Sequence, residues 1–194
     1  MKNIAAIAID VQVDFAYGAL GTKEAKAALP TIRSIKEYCY EHDYLVIHTQ
    51  DTHYEDRYFD SIEGKKLPVL HTIIGTEGWE ICPEIKVLPY EQGGKVRVKK
   101  YTFGSTVLPE YLRALDYTCK FDEIWLFGFC TDICVSANYQ ILKANYPNTR
   151  IVVISDACAG VTPETHNAAL EIMKMCHADI MTWEELKKEQ ENGN

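Results

Sequence analysis

The sequence has no apolar run near the roughly 20 residues that a membrane-spanning helix needs. It has no basic excess either: 20 lysines and arginines stand against 28 acidic residues, a formal net charge of -8. That balance favours solubility and gives no electrostatic reason to expect a nucleic-acid partner. The one cationic cluster, KVRVKK at 95–100, alternates with valine and reads as a strand rather than a binding arm. Prolines are few, and there is no internal repeat or low-complexity linker. No GxGxxG follows the first apolar run, which excludes a dinucleotide-binding module. The N-terminal MKNIAAIAIDVQVDF lacks a signal-peptide cleavage pattern and meets charge at Asp10, so it reads as a first core strand.

Cysteine is present but in the wrong pattern for a disulfide framework. The seven, at 39, 82, 119, 130, 134, 158 and 176, are odd in number and scattered. No CxxC pair suggests a zinc knuckle or a thioredoxin-like redox site. The expectation is a reduced, cytoplasmic protein.

What is present is a chain of 194 residues, enough for one domain with a real core. Apolar runs without polar alternation at 4–9, 44–50, 124–129 and 150–158 have the character of strands buried on both faces. KVRVKK and a short ADIMTW at 178–183 complete about six strands. Helical spacing marks 24–41, 104–117 and 131–145, and Thr162–Pro163 gives a helix start by cap and first-position proline. The order predicts one doubly wound α/β domain, residues 1–185, with a parallel sheet and helices on both faces. A fraying tail is expected at 186–194. Residues 51–93 form a long excursion with little periodicity beyond a turn of helix at 77–82, and a loop of that length is usually functional.

In such folds the site lies beyond the carboxyl ends of the strands. Asp10, Asp51, Lys100 and Cys134 fall at or just past four such ends. Cys134 lies in the first turn of the helix after the fourth strand, where free amides and the helix dipole favour thiolate. Asp10 could serve as its base and Lys100 as the cation holding both partners, with Asp14 and Lys99 as competitors. Strand alternation sends Lys99 and Lys100 to opposite sides, so only one can face the site. No histidine is placed to form a papain-like pair with Cys134. Asp51 and His53, two apart at a strand end, can share a metal, with His71 as a third ligand from the long loop and Glu63 as a fourth. Such ligands suit zinc, and with water also manganese or iron. His48 is expected in the core, His42 and His177 at the surface, and His166 in a structural role close to the site.

Taken together, these segments resemble the isochorismatase-like cysteine hydrolases, and within them the nicotinamidase group. DVQVDF at 10–15 is similar to the family's D-x-Q-x-D-F, whose first Asp is catalytic, which implies Asp10 rather than Asp14. QDTH at 50–53 and EGKKLPVLHTIIGTEGWEI at 63–81 are similar to its metal loop, implying Asp51, His53 and His71 as ligands and Glu63 as a further carboxylate. KYTFGST at 100–106 resembles the segment that opens on the catalytic lysine, implying Lys100, and GFCTDICV at 128–135 resembles the nucleophile motif with Cys134. The resemblance also implies a cis peptide at Phe129–Cys130 and an oxyanion hole made by the amides of Cys130 and Cys134. Phe103-Gly104-Ser105-Thr106 departs from the Tyr-Ser-Ala-Phe of many members, which bears on the pocket wall.

The activity so implied is metal-assisted hydrolysis of a small carboxamide, foremost nicotinamide to nicotinate and ammonia, through a Cys134 thioester. It would place the protein in pyridine nucleotide salvage. Phe15, Phe103, Leu67 and Leu70 would offer apolar contact to a flat ring. Alternatives are an N-carbamoyl or ureido amidase of the same fold, for which Arg57 is the available carboxylate clamp, and a non-catalytic binding relative. A vinyl-ether hydrolase is disfavoured, having no need of the cysteine. Relatives are often dimers or larger, so a homo-oligomer is expected.

Overall fold

The computed structural model describes residues 2–85, 97–116 and 120–192. Six strands, β1 Ile4–Ile9, β2 Leu45–Asp51, β3 Arg97–Lys100, β4 Glu123–Phe129, β5 Arg150–Ala159 and β6 Asp179–Met181, form one sheet in the order β3-β2-β1-β4-β5-β6. Every pairing is parallel. The apolar runs explain this: every residue of β1 and β4 is buried, as a strand covered on both faces requires. The helices are α1 Val13–Ala16, α2 Lys23–Glu41, α3 Ile62–Lys66, α4 Val107–Asp116, α5 Ser136–Asn145, α6 Pro163–Met175 and α7 Trp183–Asn192. Among them α4, α5 and α6 pack side by side, while α7 is tied to α2 by Trp183 Nε1 donating to Ser34 Oγ at 3.0 Å.

The chain runs outward from β1 through β2 to β3, then returns to build β4, β5 and β6 on the other side. The strand order therefore reverses between β1 and β4, and their carboxyl ends open a crevice there. Gly128 allows these two strands to come close. At its φ of +123° a side chain would be strained, and an added Cβ would lie 2.0 Å from the Ile9 carbonyl oxygen.

Three segments differ from the sequence expectation. The tail expected from residue 186 is, as far as residue 192, the body of α7. Trp183, Leu186 and Gln190 recur at helical spacing and are buried, the first two by apolar packing and Gln190 with its amide donating to Glu123, and that face holds the helix down. The excursion from residue 51 carries more regular structure than its pattern suggests: 3-10 turns at Glu55–Asp60 and Glu77–Trp79 flank α3, whose start is capped by Ser61 accepting from the Gly64 amide. The cap on α3 is local and invisible to periodicity, while the two 3-10 turns start without a side-chain cap. The helix expected from 131 opens as a π turn, Thr131–Val135, with the Val135 amide bonding to the Cys130 carbonyl at 3.0 Å. Part of the long loop (86–93), Lys95, Val96 and Cys119 lie outside the described residues. Among the described residues no helix is long and apolar enough to cross a membrane.

Candidate active site

Four strand ends converge at the crevice. Directly after β1 stands Asp10, whose φ of +47° turns the chain sharply. The Asp10 side chain is wholly buried, accepts from Thr49 Oγ1 on β2 at 2.7 Å and lies 2.7 Å from Lys100 Nζ. Lys100 ends β3. Strand alternation resolves the two neighbouring lysines: Lys100 is 2% exposed and points in, whereas Lys99 points out over the Trp79 ring. Lys100 Nζ donates to Asp51 Oδ1 at 3.0 Å, to the Thr102 carbonyl at 3.2 Å and to Cys134 Sγ at 3.4 Å. One ammonium thus touches both expected carboxylates and the expected sulfur.

The electrostatics follow from burial. Burial opposes the charge on Lys100, yet the charges around it outweigh that penalty and hold its pKa well above the ordinary value. Burial likewise raises Asp10, with Lys100 pulling the other way and Asp51 adding to the rise. Burial also raises the Cys134 thiol well above its usual value, only partly offset by Lys100. The first-turn position was expected to favour thiolate, but burial beside two carboxylates outweighs the helix end.

Asp51, at the end of β2, belongs to a second cluster. Burial opposes its ionisation, but His53 and Lys100 outweigh it and hold its carboxyl below the usual range. Asp51, His53, Glu63 and His71 bring one ligand atom each to within 4.8 Å of one another. His53 Nε2 lies 3.1 Å from Asp51 Oδ2 and 3.5 Å from Glu63 Oε1, and His71 Nε2 lies 3.5 Å from the same Glu63 oxygen. His71 Nδ1 bonds to the Val69 carbonyl at 2.8 Å, which leaves Nε2 to face the cluster. His53 Nε2 is buried and has no partner of good hydrogen-bond geometry. Two inward imidazole nitrogens and two carboxylates, one nitrogen unsatisfied, are a donor set that fits a divalent cation. Burial lowers the His53 pKa, but Asp51 and Glu63 outweigh it and lift it to about 9, while the histidines help hold Glu63 near 2.

The supporting shell was less legible. Gln12 lies between the strand ends, its Nε2 donating to the carbonyls of Asp51 and Trp79 while its Oε1 accepts from the Asp51 amide. Asn138, one helical turn beyond Cys134, donates to the Cys134 and Phe103 carbonyls and accepts from the Ser105 amide, tying the turn that carries Cys134 to the segment after β3. A buried amide one turn from a candidate cysteine was the available signal. Asp14 is structural, accepting from the Thr72 and Ala19 amides.

Above the Lys100 cluster lies a cavity of about 260 Å³. Cys130 and Cys134 line its floor, Asp51, Glu63 and His71 one side, and Phe15, Leu67 and Phe103 its apolar wall. Leu20, Thr22, Ile133 and Val161 complete it, and no spacing in the sequence marked them. Leu70 was expected there and is not among the lining residues; neighbours in extended chain point opposite ways, and His71 takes the inward side. Arg57 lies away as well, its guanidinium over the Tyr54 ring. The peptide bond between Phe129 and Cys130 is cis.

The parallel sheet, with a buried cysteine and a four-residue cluster able to hold a cation at its switch point, is that of an α/β hydrolase. Residues 5–185 match the isochorismatase domain model, and the chain belongs to that family. It is 29% identical over 189 residues to a nicotinamidase/pyrazinamidase of Mycobacterium tuberculosis, covering 91% of this chain and 97% of that protein. It is 27% identical to a probable inactive nicotinamidase of Arabidopsis thaliana, covering 97% and 96%. A solved pyrazinamidase of Pyrococcus horikoshii in complex with zinc superposes with a TM-score of 0.77 at 26% identity, covering 93% of this chain and 99% of that one.

Proposed function

We propose that the protein hydrolyses a small, neutral aromatic carboxamide, nicotinamide foremost, to the acid and ammonia through a thioester on Cys134. The observation that carries this reading is Lys100 Nζ set 2.7 Å from Asp10 and 3.4 Å from Cys134 Sγ, beneath a cavity with an apolar wall. Because burial keeps the resting sulfur protonated, proton removal must accompany attack. Asp10, raised by its own burial, takes that proton, and Lys100 stabilises the transient thiolate. The sulfur attacks the amide carbon, the C–N bond breaks, and the proton on Asp10 leaves with ammonia. Asp10 then takes a proton from water as the water oxygen attacks the thioester, and Cys134 recovers its proton as the acid departs. The Cys130 and Cys134 amides are assigned to the oxyanion in both steps.

Asp51, His53, Glu63 and His71 would hold a divalent cation, zinc by ligand type, the ion in complex with the Pyrococcus relative. When bound there, it would supply a Lewis-acidic anchor for a ring nitrogen. Among the described residues the cavity lining carries no arginine or lysine, so nothing in it pairs with the carboxylate of a ureido acid. That favours a neutral amide over the N-carbamoyl class. The test is ammonia release from nicotinamide beside ureido and aliphatic amides, with and without chelator. Turnover of the ureido compounds alone would replace this reading, and folded protein inert toward every amide would make it a binding relative.

A further inference from the structure

His166, in the first turns of α6, lies outside every role assigned above, yet its ring reaches the nucleophile turn. Its Nδ1 is 2.8 Å from Thr131 Oγ1, and Thr131 is wholly buried directly after Cys130. From that point the Cys130 carbonyl accepts from both the Ile133 and Val135 amides, closing the turn that carries Cys134. A second strap runs in parallel. The Asp132 carboxylate accepts from the Val161 amide at 3.1 and 3.2 Å and from the Thr165 hydroxyl. The start of α6 is itself fixed by a capping box between Thr162 and Thr165. His166 also packs closely on Gly160, where an added Cβ would come within 2.9 Å of its own Cβ.

We propose, resting on the thioester reading above, that His166 is a positioning residue: its bond to Thr131 sets the turn whose amides receive the oxyanion. An oxyanion hole is useful only if its donors are already aimed at the charge that develops, and removing one such donor outright slows reactions by about 10²–10³-fold. His166 is not among the residues lining the cavity, and its bond is to Thr131 rather than to the thiol, so loosening it misaims donors without removing the nucleophile.

Two probes separate these effects. Pyridine-3-carboxaldehyde adds to Cys134 as a hemithioacetal: the S–C bond forms, the thiol proton passes to Asp10, and the carbonyl π pair becomes an alkoxide held by the turn's amides. Iodoacetamide alkylates the same sulfur with loss of iodide and forms no oxyanion. In His166→Ala the aldehyde should bind about tenfold more weakly and kcat for nicotinamide fall by a similar factor, at unchanged KM. Alkylation should stay within about twofold of the parent, since the thiol is untouched. His166→Asn, whose amide can take the place of Nδ1, should restore most of the loss, whereas His166→Gln should not. Thr131→Val, which removes the other partner at constant volume, should reproduce His166→Ala and serves if that variant folds poorly.

Unchanged aldehyde affinity in both variants overturns the proposal. So does a parallel loss of alkylation, which would mean general collapse of the site, or an asparagine variant no better than alanine. Parent protein that neither captures the aldehyde nor hydrolyses any amide overturns the thioester reading instead, and this role falls with it.

Discussion

Lys100 Nζ stands 2.7 Å from Asp10 Oδ2, and both side chains are excluded from water. Lys100 also pairs with Asp51 Oδ1, so one buried cation balances two buried carboxylates. Removing one partner of a buried pair strands the other, at about 3–5 kcal/mol. Lys100→Met should therefore lower unfolding free energy by about that amount in urea titrations as well as abolish turnover. A variant as stable as the parent would show that the pair contributes nothing to the fold.

Cys134 tests the chemistry without that structural penalty, because Cys→Ala in the cavity floor removes one atom. Cys134→Ala should lose about 10³-fold or more in kcat while retaining its melting temperature within a few degrees. In the parent, rapid acid quench and intact-mass measurement should show an acyl adduct on Cys134. Full activity in the alanine variant would end the thioester mechanism.

At the metal cluster, a cation that binds only the folded chain raises stability, by about 2.7 kcal/mol at one hundred times its Kd. Added zinc should raise the unfolding midpoint of the parent and not of His71→Ala. Tyr58 OH lies 3.3 Å from His71 Nδ1 and donates to the Leu67 carbonyl at 2.8 Å. Tyr58→Phe should weaken metal affinity about tenfold in a competition titration while the fold persists.

At the opposite end of the sheet Glu123 is 3% exposed and meets Lys2, Arg150, Trp125 and Gln190. Burial alone would raise its pKa, but those donors outweigh burial and hold it below its ordinary 4.5. A depressed carboxyl stabilises the fold above its unfolded value and loses that contribution as pH falls through its folded one. The parent should exceed Glu123→Gln in stability at neutral pH, and the gap should close as pH drops below about 4.5. Urea midpoints across pH 2–7 measure it; a constant gap would refute the assignment.

The fold was legible because its strands are apolar runs and its helices carry caps and spacing. The helix-start signal at Thr162–Pro163 and the alternation that separates Lys99 from Lys100 are purely local. The convergence of Asp10, Lys100 and Cys134 was legible only through the rule that parallel sheets gather strand ends. Gln12, Asn138 and Thr131 were not, because a buried amide or hydroxyl looks like any other until its partners, tens of residues away, are in place. Leu70 and the tail failed for a related reason: which way a loop residue faces, and whether a charged segment docks, depend on contacts that periodicity does not encode.

Asp51 gives one oxygen to Lys100 and the other to the histidine cluster, with Thr72 Oγ1 donating to the latter at 2.9 Å. A single carboxylate shared in this way joins two equilibria that otherwise have no common member. Whatever draws electron density toward the imidazoles weakens the hold on the ammonium, and the coupling must be reciprocal. Alkylating Cys134 should thus change the dissociation constant of an ion held by the histidine cluster, so that metal affinity would gauge the state of the sulfur.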